Sequence, residues 1–376
     1  MSVILAVERF RLRPSEPECY QMNEHDLRQL EIPLPFAPQR HSMSDRAQER
    51  VQIWATRFGL LADDAAARRF DSLGYARFSA YWCPTASFAD MLLVAEWITV
   101  FFIFDDLQNQ AITTGRPEDY DRLRHTALQV VHERGCSGPV PPVIAALSNL
   151  CTRTFPRNSA AWQRRFELNL ELWLIGHARE NSFRQAGRSP SPEEYPRLRR
   201  DASTVLPTVD LAEIIEHTEL PDALYFGPSY QEIIATTADI MCWTNDLHSL
   251  AVEYDAEDTI NMVTTLRDHR GMDLSESVAE VRRLIDVRIA DCQAAAQSIT
   301  AEMDALHLPP RIRNGVRRCI RDCQSAMAGM EVWDRTDTVR FTPDAELGDT
   351  RNIDYNNGFL DSSAIGRAAQ ADSRRV

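Results

Sequence analysis

From Met91 to Phe104 the chain is apolar at almost every position, and Asp105 and Asp106 follow at once. The stretch contains Glu96 and falls short of the roughly 18–20 residues that span a bilayer. A helix apolar on nearly all sides belongs in the middle of a fold. Two adjacent carboxylates at its end are then costly unless something neutralises them. A hard cation with oxygen ligands does so, and Mg2+ typically takes one or two protein carboxylates plus substrate phosphates. On this motif alone, an ordinary helix end emerging into solvent is the competing reading.

The rest of the chain has segments of helical length separated by Pro, Gly and Ser, without convincing strand alternation. Helices are expected over Ser44–Arg69, Ser87–Asp106, Pro117–Glu133, Pro142–Thr154 and Ser159–Gln185. Another opens at Pro192 and runs toward Leu206, where Pro207 is expected to break or kink it. Ser229–Asp255, Ser275–Leu306 and Pro310–Trp333 complete the set, the second with apolar spacing at Val278, Val281, Leu284, Ile285 and Ile289. The length prior for 376 residues is about two domains. The absence of repeats and of a Gly/Ser linker favours one all-α domain of about ten helices over residues 44–341. Residues 1–43 are read as an irregular Pro-rich segment and 342–376 as a flexible tail.

Charge narrows the partners. With 41 basic and 55 acidic residues, the formal charge is −14, which argues against a nucleic-acid partner. Every basic residue is Arg, so neither a Lys Schiff base nor a P-loop Lys is available. The eight cysteines form no CxxC pair, and the first residues lack the pattern of a secretory signal. The expectation is a cytoplasmic protein with free thiols and no membrane span.

A second motif suits the same ion. Asn245, Ser249 and Glu253 lie at i, i+4 and i+8, so an amide oxygen, a hydroxyl and a carboxylate share one helix face. These are oxygen donors appropriate to Mg2+. A third feature is the run Arg197, Arg199 and Arg200, usually a solvated face but here a plausible diphosphate clamp. A fourth is Trp333 followed by Arg340-Phe341.

Together these features resemble the class I terpene synthases in their microbial single-domain form, over roughly Ser44 to Phe341. That family carries a DDxxD-type motif, a downstream NDxxSxxxE motif, a diphosphate-sensing Arg and a C-terminal Arg-Tyr pair. Asp105 and Asp106 begin the first motif; Asn245, Ser249 and Glu253 match the second in full. Arg199 stands 46 residues before Asn245, in the sensor's place, and Arg340 stands where the pair's Arg belongs. There are two departures. Asn109 (or Gln110 in the longer spacing) replaces the third acid, and Phe341 replaces the Tyr.

The resemblance implies a helical bundle with a central cavity that ionises an acyclic prenyl diphosphate with three Mg2+ ions. Asp105 would hold two ions, and Asn245, Ser249 and Glu253 the third. Arg199 and Arg340 would donate to the diphosphate. The turn around Ala202 and Ser203 would hold a helix break beside the substrate. Phe78, Tyr81, Trp82, Phe101, Phe102, Trp173 and Trp333 are candidates to shield and stabilise the cation, with Phe78 and Phe102 foremost. Asp246 is expected to partner an Arg such as Arg200, and His177 and His248 to lie near the site. A homodimer is open by analogy.

Farnesyl diphosphate leads as substrate, with geranylgeranyl diphosphate close behind. A trans-prenyltransferase would need a second DDxxD where this chain has NDLHSLAVE, and a class II cyclase would need DxDD. An inactive helical scaffold is the non-enzyme reading, supported only by Asn109 and Phe341.

Overall fold

The computed structural model describes residues 30–255 and 258–341, with no strand among them. Before the first long helix come α1 (Ser44–Arg57), α2 (Asp64–Leu73) and α3 (Tyr75–Trp82). Then follow α4 (Phe88–Thr113), α5 (Pro117–Glu133), α6 (Pro142–Thr154) and α7 (Ala160–Gln185). Next are α8 (Tyr195–Ala202), α9 (Val205–Ile215), α10 (Asp222–Tyr225) and α11 (Pro228–Asp255). The bundle closes with α12 (Met262–Arg270), α13 (Leu274–Ala305), α14 (Pro310–Val332) and a π-helical turn, Trp333–Asp337.

The apolar sequence of α4 has the expected consequence. The helix packs against α1, α3, α5, α6 and α9, and Val94, Ala95, Trp97, Val100, Ile103 and Phe104 are fully buried. Ser87 starts it by accepting a hydrogen bond from Asp90 N. Opposite stands α11, packed on α13, α14, α8 and α9. The cavity lies between these two long helices, with α3, α7 and α14 as side walls.

Several elements differ from the sequence reading. The segment Ser44–Arg69 holds two helices, because Gly59 adopts φ 70° and Asp63 caps a new start by accepting from Ala66 N. α4 does not end at Asp106 but runs on to Thr113, so its carboxylates sit on a helix flank. The break after α8 falls at Ser203 (ψ 155°), before Pro207 rather than at it. Pro207 stands in the first turn of α9, where its missing N–H leaves no intrahelical bond unmade. The helices α3, α9, α10 and α12 were not anticipated. Residues 30–43 are irregular, yet Leu30 and Ile32 are buried in the core. The remainder of 1–43 and all of 342–376 lie outside the described residues. The seven described cysteines are unpaired.

Two glycines set positions that matter for the cavity. Gly74, at φ 65° between α2 and α3, would bring a Cβ within 3.0 Å of the Asp337 carbonyl and 3.4 Å of Trp333 Nε1. The π-helical turn can therefore rest on the α2–α3 corner only while that residue is glycine. Gly176 lets the α8–α9 break touch α7, since a Cβ there would fall 2.4 Å from Ala202 Cα. Replacing Gly176 with Ala is expected to destabilise the protein by about 1–3 kcal/mol through overpacking, read by denaturant unfolding.

A buried acid supplies a pH signature remote from the cavity. Burial first, and then the neighbouring Glu216, push the Asp322 carboxyl up to about 9. The folded protein thus holds a proton that the unfolded chain releases near pH 4, and stability falls as pH rises from about 4 toward 9. Asp322→Asn, which mimics the protonated form, should flatten this decline in unfolding measurements across pH. An unchanged slope would reject the assignment.

Candidate active site

The cavity measures about 610 Å3 and its mouth gathers both acidic motifs. Asp105 and Asp106 come from α4, and Asn245, Ser249 and Glu253 from α11. Both sets border the same space together with Arg199 and Arg340. Asn109, Ser203 and Phe341 also line it.

Arg340 reaches the mouth because the π-helical turn redirects the chain after α14. Trp333 Nε1 donates to the Gly74 carbonyl (3.1 Å), and Val339 N donates to the Ser72 carbonyl (3.3 Å). The Arg340 guanidinium then spans both carboxylates, 2.7 Å from Asp105 Oδ2 and 2.7 Å from Asp106 Oδ1. Tyr75 completes the arrangement. Its hydroxyl donates to Asp106 Oδ2 (3.0 Å) and accepts from Arg340 Nη1 (3.1 Å). The guanidinium also lies 5.3 Å above the Phe102 ring, a cation–π distance.

On the other wall, Asp246 is fully buried. It accepts from the Tyr195 hydroxyl (2.6 Å), Arg199 Nε (3.3 Å) and Met262 N (3.2 Å). Arg199 Nη2 donates to Asn245 Oδ1 (3.2 Å). The expected partnership of Asp246 with Arg200 is thus corrected. Arg200 points to the far side and grips Asp239 through two bonds. Ser249 Oγ donates to the Asn245 carbonyl (2.8 Å), and Asn261 Nδ2 donates to Glu253 Oε2 (2.8 Å). Burial, followed by the charges of Asp258 and Asp246, pushes the Glu253 carboxyl up to about 8.

The aromatic candidates divide. Phe78, Trp82, Phe101 and Phe102 line the cavity. Trp333 does not: it is fully buried behind Phe78 and Phe102, at ring distances of 5.1 and 5.3 Å, with its N–H spent on Gly74. Trp173 backs Phe101 in the same way, and Tyr81 turns outward to donate to Asp337. The Phe102 ring stacks on Tyr75 at 4.3 Å, which fixes its face toward the cavity wall.

His177 lines the cavity, but its ring is committed. Trp173 Nε1 donates to Nε2 (3.0 Å), so Nδ1 carries the proton that meets the Tyr120 hydroxyl. Burial lowers its pKa to about 4, leaving a neutral ring with no free base. His248 is outside the lining.

The sequence reading missed Tyr75, Glu180, Arg184 and Asp258. Glu180 and Arg184 stand four apart on α7, a spacing that is visible in sequence but reads as a solvated helix pair. Asp258 follows α11 with no motif around it.

The donor chemistry fits a hard divalent cation. Carboxylate, amide and hydroxyl oxygens gather at one mouth, while the two softer groups of the lining are occupied: the His177 ring by Trp173 and Tyr120, and the Cys242 thiol kept protonated by burial, which pushes it up to about 11. Among the described residues, no three His, Cys, Asp or Glu side chains converge on one point. Coordination there would rely on the Asn and Ser oxygens and on oxygens from substrate and water.

A family model described as terpene synthase family 2, C-terminal metal binding, matches residues 96–291. The chain is 30% identical over 321 residues to pristinol synthase of Streptomyces pristinaespiralis, covering 84% of this chain and 86% of the relative. It is 28% identical to a (-)-beta-caryophyllene synthase of Saccharothrix espanaensis, named as (2E,6E)-farnesyl diphosphate cyclizing, over 77% of this chain and 82% of that one. Its fold is similar to the crystal structure of linalool/nerolidol synthase from Streptomyces clavuligerus. The TM-score is 0.72 at 22% identity, over 81% of this chain and 100% of the other.

The Tyr75 hydroxyl offers a direct check of the mouth. Tyr75→Phe keeps the ring stacked on Phe102 but removes bonds to two charged groups, at a cost of about 1.5–3 kcal/mol for the first such bond lost. Denaturant unfolding of the variant should show that loss with native-like circular dichroism.

Proposed function

The chain belongs to the class I terpene synthase family, a terpene cyclase acting on a prenyl diphosphate, and from that premise we propose that farnesyl diphosphate is its substrate and Mg2+ its metal. We take residues 44–341 as the catalytic domain. The observation that carries the reading is that Asp105 on α4 and the Asn245, Ser249, Glu253 face of α11 border one mouth, above a cavity walled by Phe78, Ile98, Phe101 and Phe102.

In this reading Asp105, Asn245, Ser249 and Glu253 hold three Mg2+ ions, and Arg199 and Arg340 donate to the diphosphate. Bound Mg2+ supplies positive charge that makes diphosphate a good leaving group. The guanidiniums of Arg199 and Arg340 reinforce it by charge-assisted hydrogen bonds to the oxygens that gain charge as the carbon–oxygen bond breaks. Diphosphate departs with the bonding electrons, leaving an allylic cation. Phe78, Trp82, Phe101 and Phe102 turn ring faces and edges to that cation and keep water from it. Ser203, at the end of α8, holds the break open. Its Oγ donates to the Arg200 carbonyl (3.0 Å) and its N donates to the Arg199 carbonyl (2.9 Å).

The walls below the mouth run about two helical turns. Ile98 lies seven residues below Asp105 on α4, about 10 Å at 1.5 Å per residue. Trp82 lies the same number of residues beyond Tyr75 on α3. A farnesyl chain has to coil within that depth, which brings its double bonds near the cationic end. The Saccharothrix espanaensis relative, a (2E,6E)-farnesyl diphosphate cyclizing synthase, supports the same substrate.

The test is a set of parallel incubations with geranyl, farnesyl and geranylgeranyl diphosphates, with Mg2+ or with EDTA. Diphosphate release and extracted hydrocarbons are measured. A cyclic product from farnesyl diphosphate, lost in EDTA, is expected. Asn245→Ala and Ser249→Ala should each lower kcat by roughly a hundredfold or more. Turnover of geranylgeranyl diphosphate alone would overturn the substrate assignment, and EDTA-resistant turnover the metal.

A further inference from the structure

Among the described residues, three arginines line the cavity: Arg199, Arg340 and Arg184. The first two have been assigned above; Arg184 has not. It projects from the last turn of α7 between the α4 wall and the segment after α11. Its Nε and Nη2 donate to Asp258 at 3.0 and 3.1 Å, and its Nη1 donates to Glu180 at 3.3 Å. These bonds use three of the five N–H donors of the guanidinium, and the residue lines the cavity. The side chain is only 13% exposed, and Glu180 Oε1 beside it is buried with no hydrogen-bond partner.

The three arginines share one arrangement. Each is held by carboxylates that belong to an acidic motif or adjoin it. Arg340 is held by Asp105 and Asp106, Arg199 by Asp246 next to Asn245, and Arg184 by Asp258, five residues past Glu253. A tie meant only to fasten α7 to the segment after α11 needs no opening onto the cavity. A guanidinium that exchanges a carboxylate for a diphosphate oxygen does, and its planar fork suits both partners equally.

We propose that Arg184 is a third diphosphate-binding residue, held by Asp258 and Glu180 until a metal-bound diphosphate takes their place. The proposal rests on the function given above. The exchange is one of hydrogen bonds and ion pairs, with no covalent change.

The experiment is calorimetric titration of the full chain with inorganic diphosphate in excess Mg2+, alongside thermal unfolding. Wild type, Arg184→Gln, Asp258→Asn and the double variant are compared. Arg184→Gln should weaken diphosphate binding by roughly ten- to a hundredfold. Asp258→Asn should leave it unchanged or tighten it, because a competitor is gone. The double variant should bind like Arg184→Gln, placing the gain on Arg184 itself. Should Arg184→Gln not fold, Arg184→Lys keeps the charge without the fork and should still bind more weakly than wild type. Equal weakening by both single variants, with matching losses of thermal stability, would show a structural tie and overturn the proposal. So would wild-type affinity in a folded Arg184 variant. If wild type neither binds diphosphate with Mg2+ nor turns over any prenyl diphosphate, the function itself fails and this inference with it. If wild type does both and Arg184→Gln is unaffected, only this inference fails.

Discussion

Carboxylates set beside apolar surface need a counter-charge, and the upper half of this protein is organised around that need. Asp105 and Asp106 stand on the flank of a helix whose other faces are buried. In this structure Arg340 answers them, brought in by the π-helical turn after α14. The same charge balance recurs at Asp246 with Arg199 and at Asp258 with Arg184. Each guanidinium offsets part of the negative charge beside it, which lowers the cost of placing these carboxylates next to apolar surface.

The fold brings these pairs together by two close approaches. At the α2–α3 corner, Gly74 admits the π-helical turn, and the turn gives Arg340 its direction. At the α7–α8 crossing, Gly176 admits the backbone of Ala202, and Arg199 and Ser203 are carried to the rim with it. Both contacts are backbone against backbone or against an indole, with no flexible side chain to yield. Errors of a few tenths of an ångström there would pass undamped to the guanidiniums, because each lies within five residues of a contact.

Much of the architecture was legible because local signals dominate it. Helices α5 and α6 begin at Pro117 and Pro142, the residues that mark their starts in sequence, and α7 begins just after the capping Ser159. The central place of α4 follows from its apolar circumference. What escaped were features decided by tertiary contact. Helix α3 is short and apolar, and its sequence alone does not distinguish it from a loop packed on the core. Arg199 and Arg200 are neighbours in sequence but lie about 100° apart around α8, so which one meets Asp246 depends on how the helix is rotated. Trp333 and Phe102 are both aromatic and near the motifs. Only the packing of one behind the other decides which faces the cavity. Asp258, which holds Arg184, lies 74 residues further along the chain, a separation that no spacing rule reaches.

Charge at the mouth constrains the order of events. Five carboxyl groups line the cavity (Asp105, Asp106, Glu180, Glu253 and Asp258) against the three arginines. The whole chain adds to this with a formal charge of −14. A diphosphate approaching alone meets a repulsive field and three guanidiniums already engaged. A divalent cation approaching alone meets an attractive field and oxygen ligands on both walls. The electrostatics therefore favour entry of the cation ahead of the diphosphate or bound to it. Arginine is the suitable cation for the protein's own share of the binding. It stays charged when buried, so a released guanidinium is ready to donate, where a buried Lys could have shed its proton.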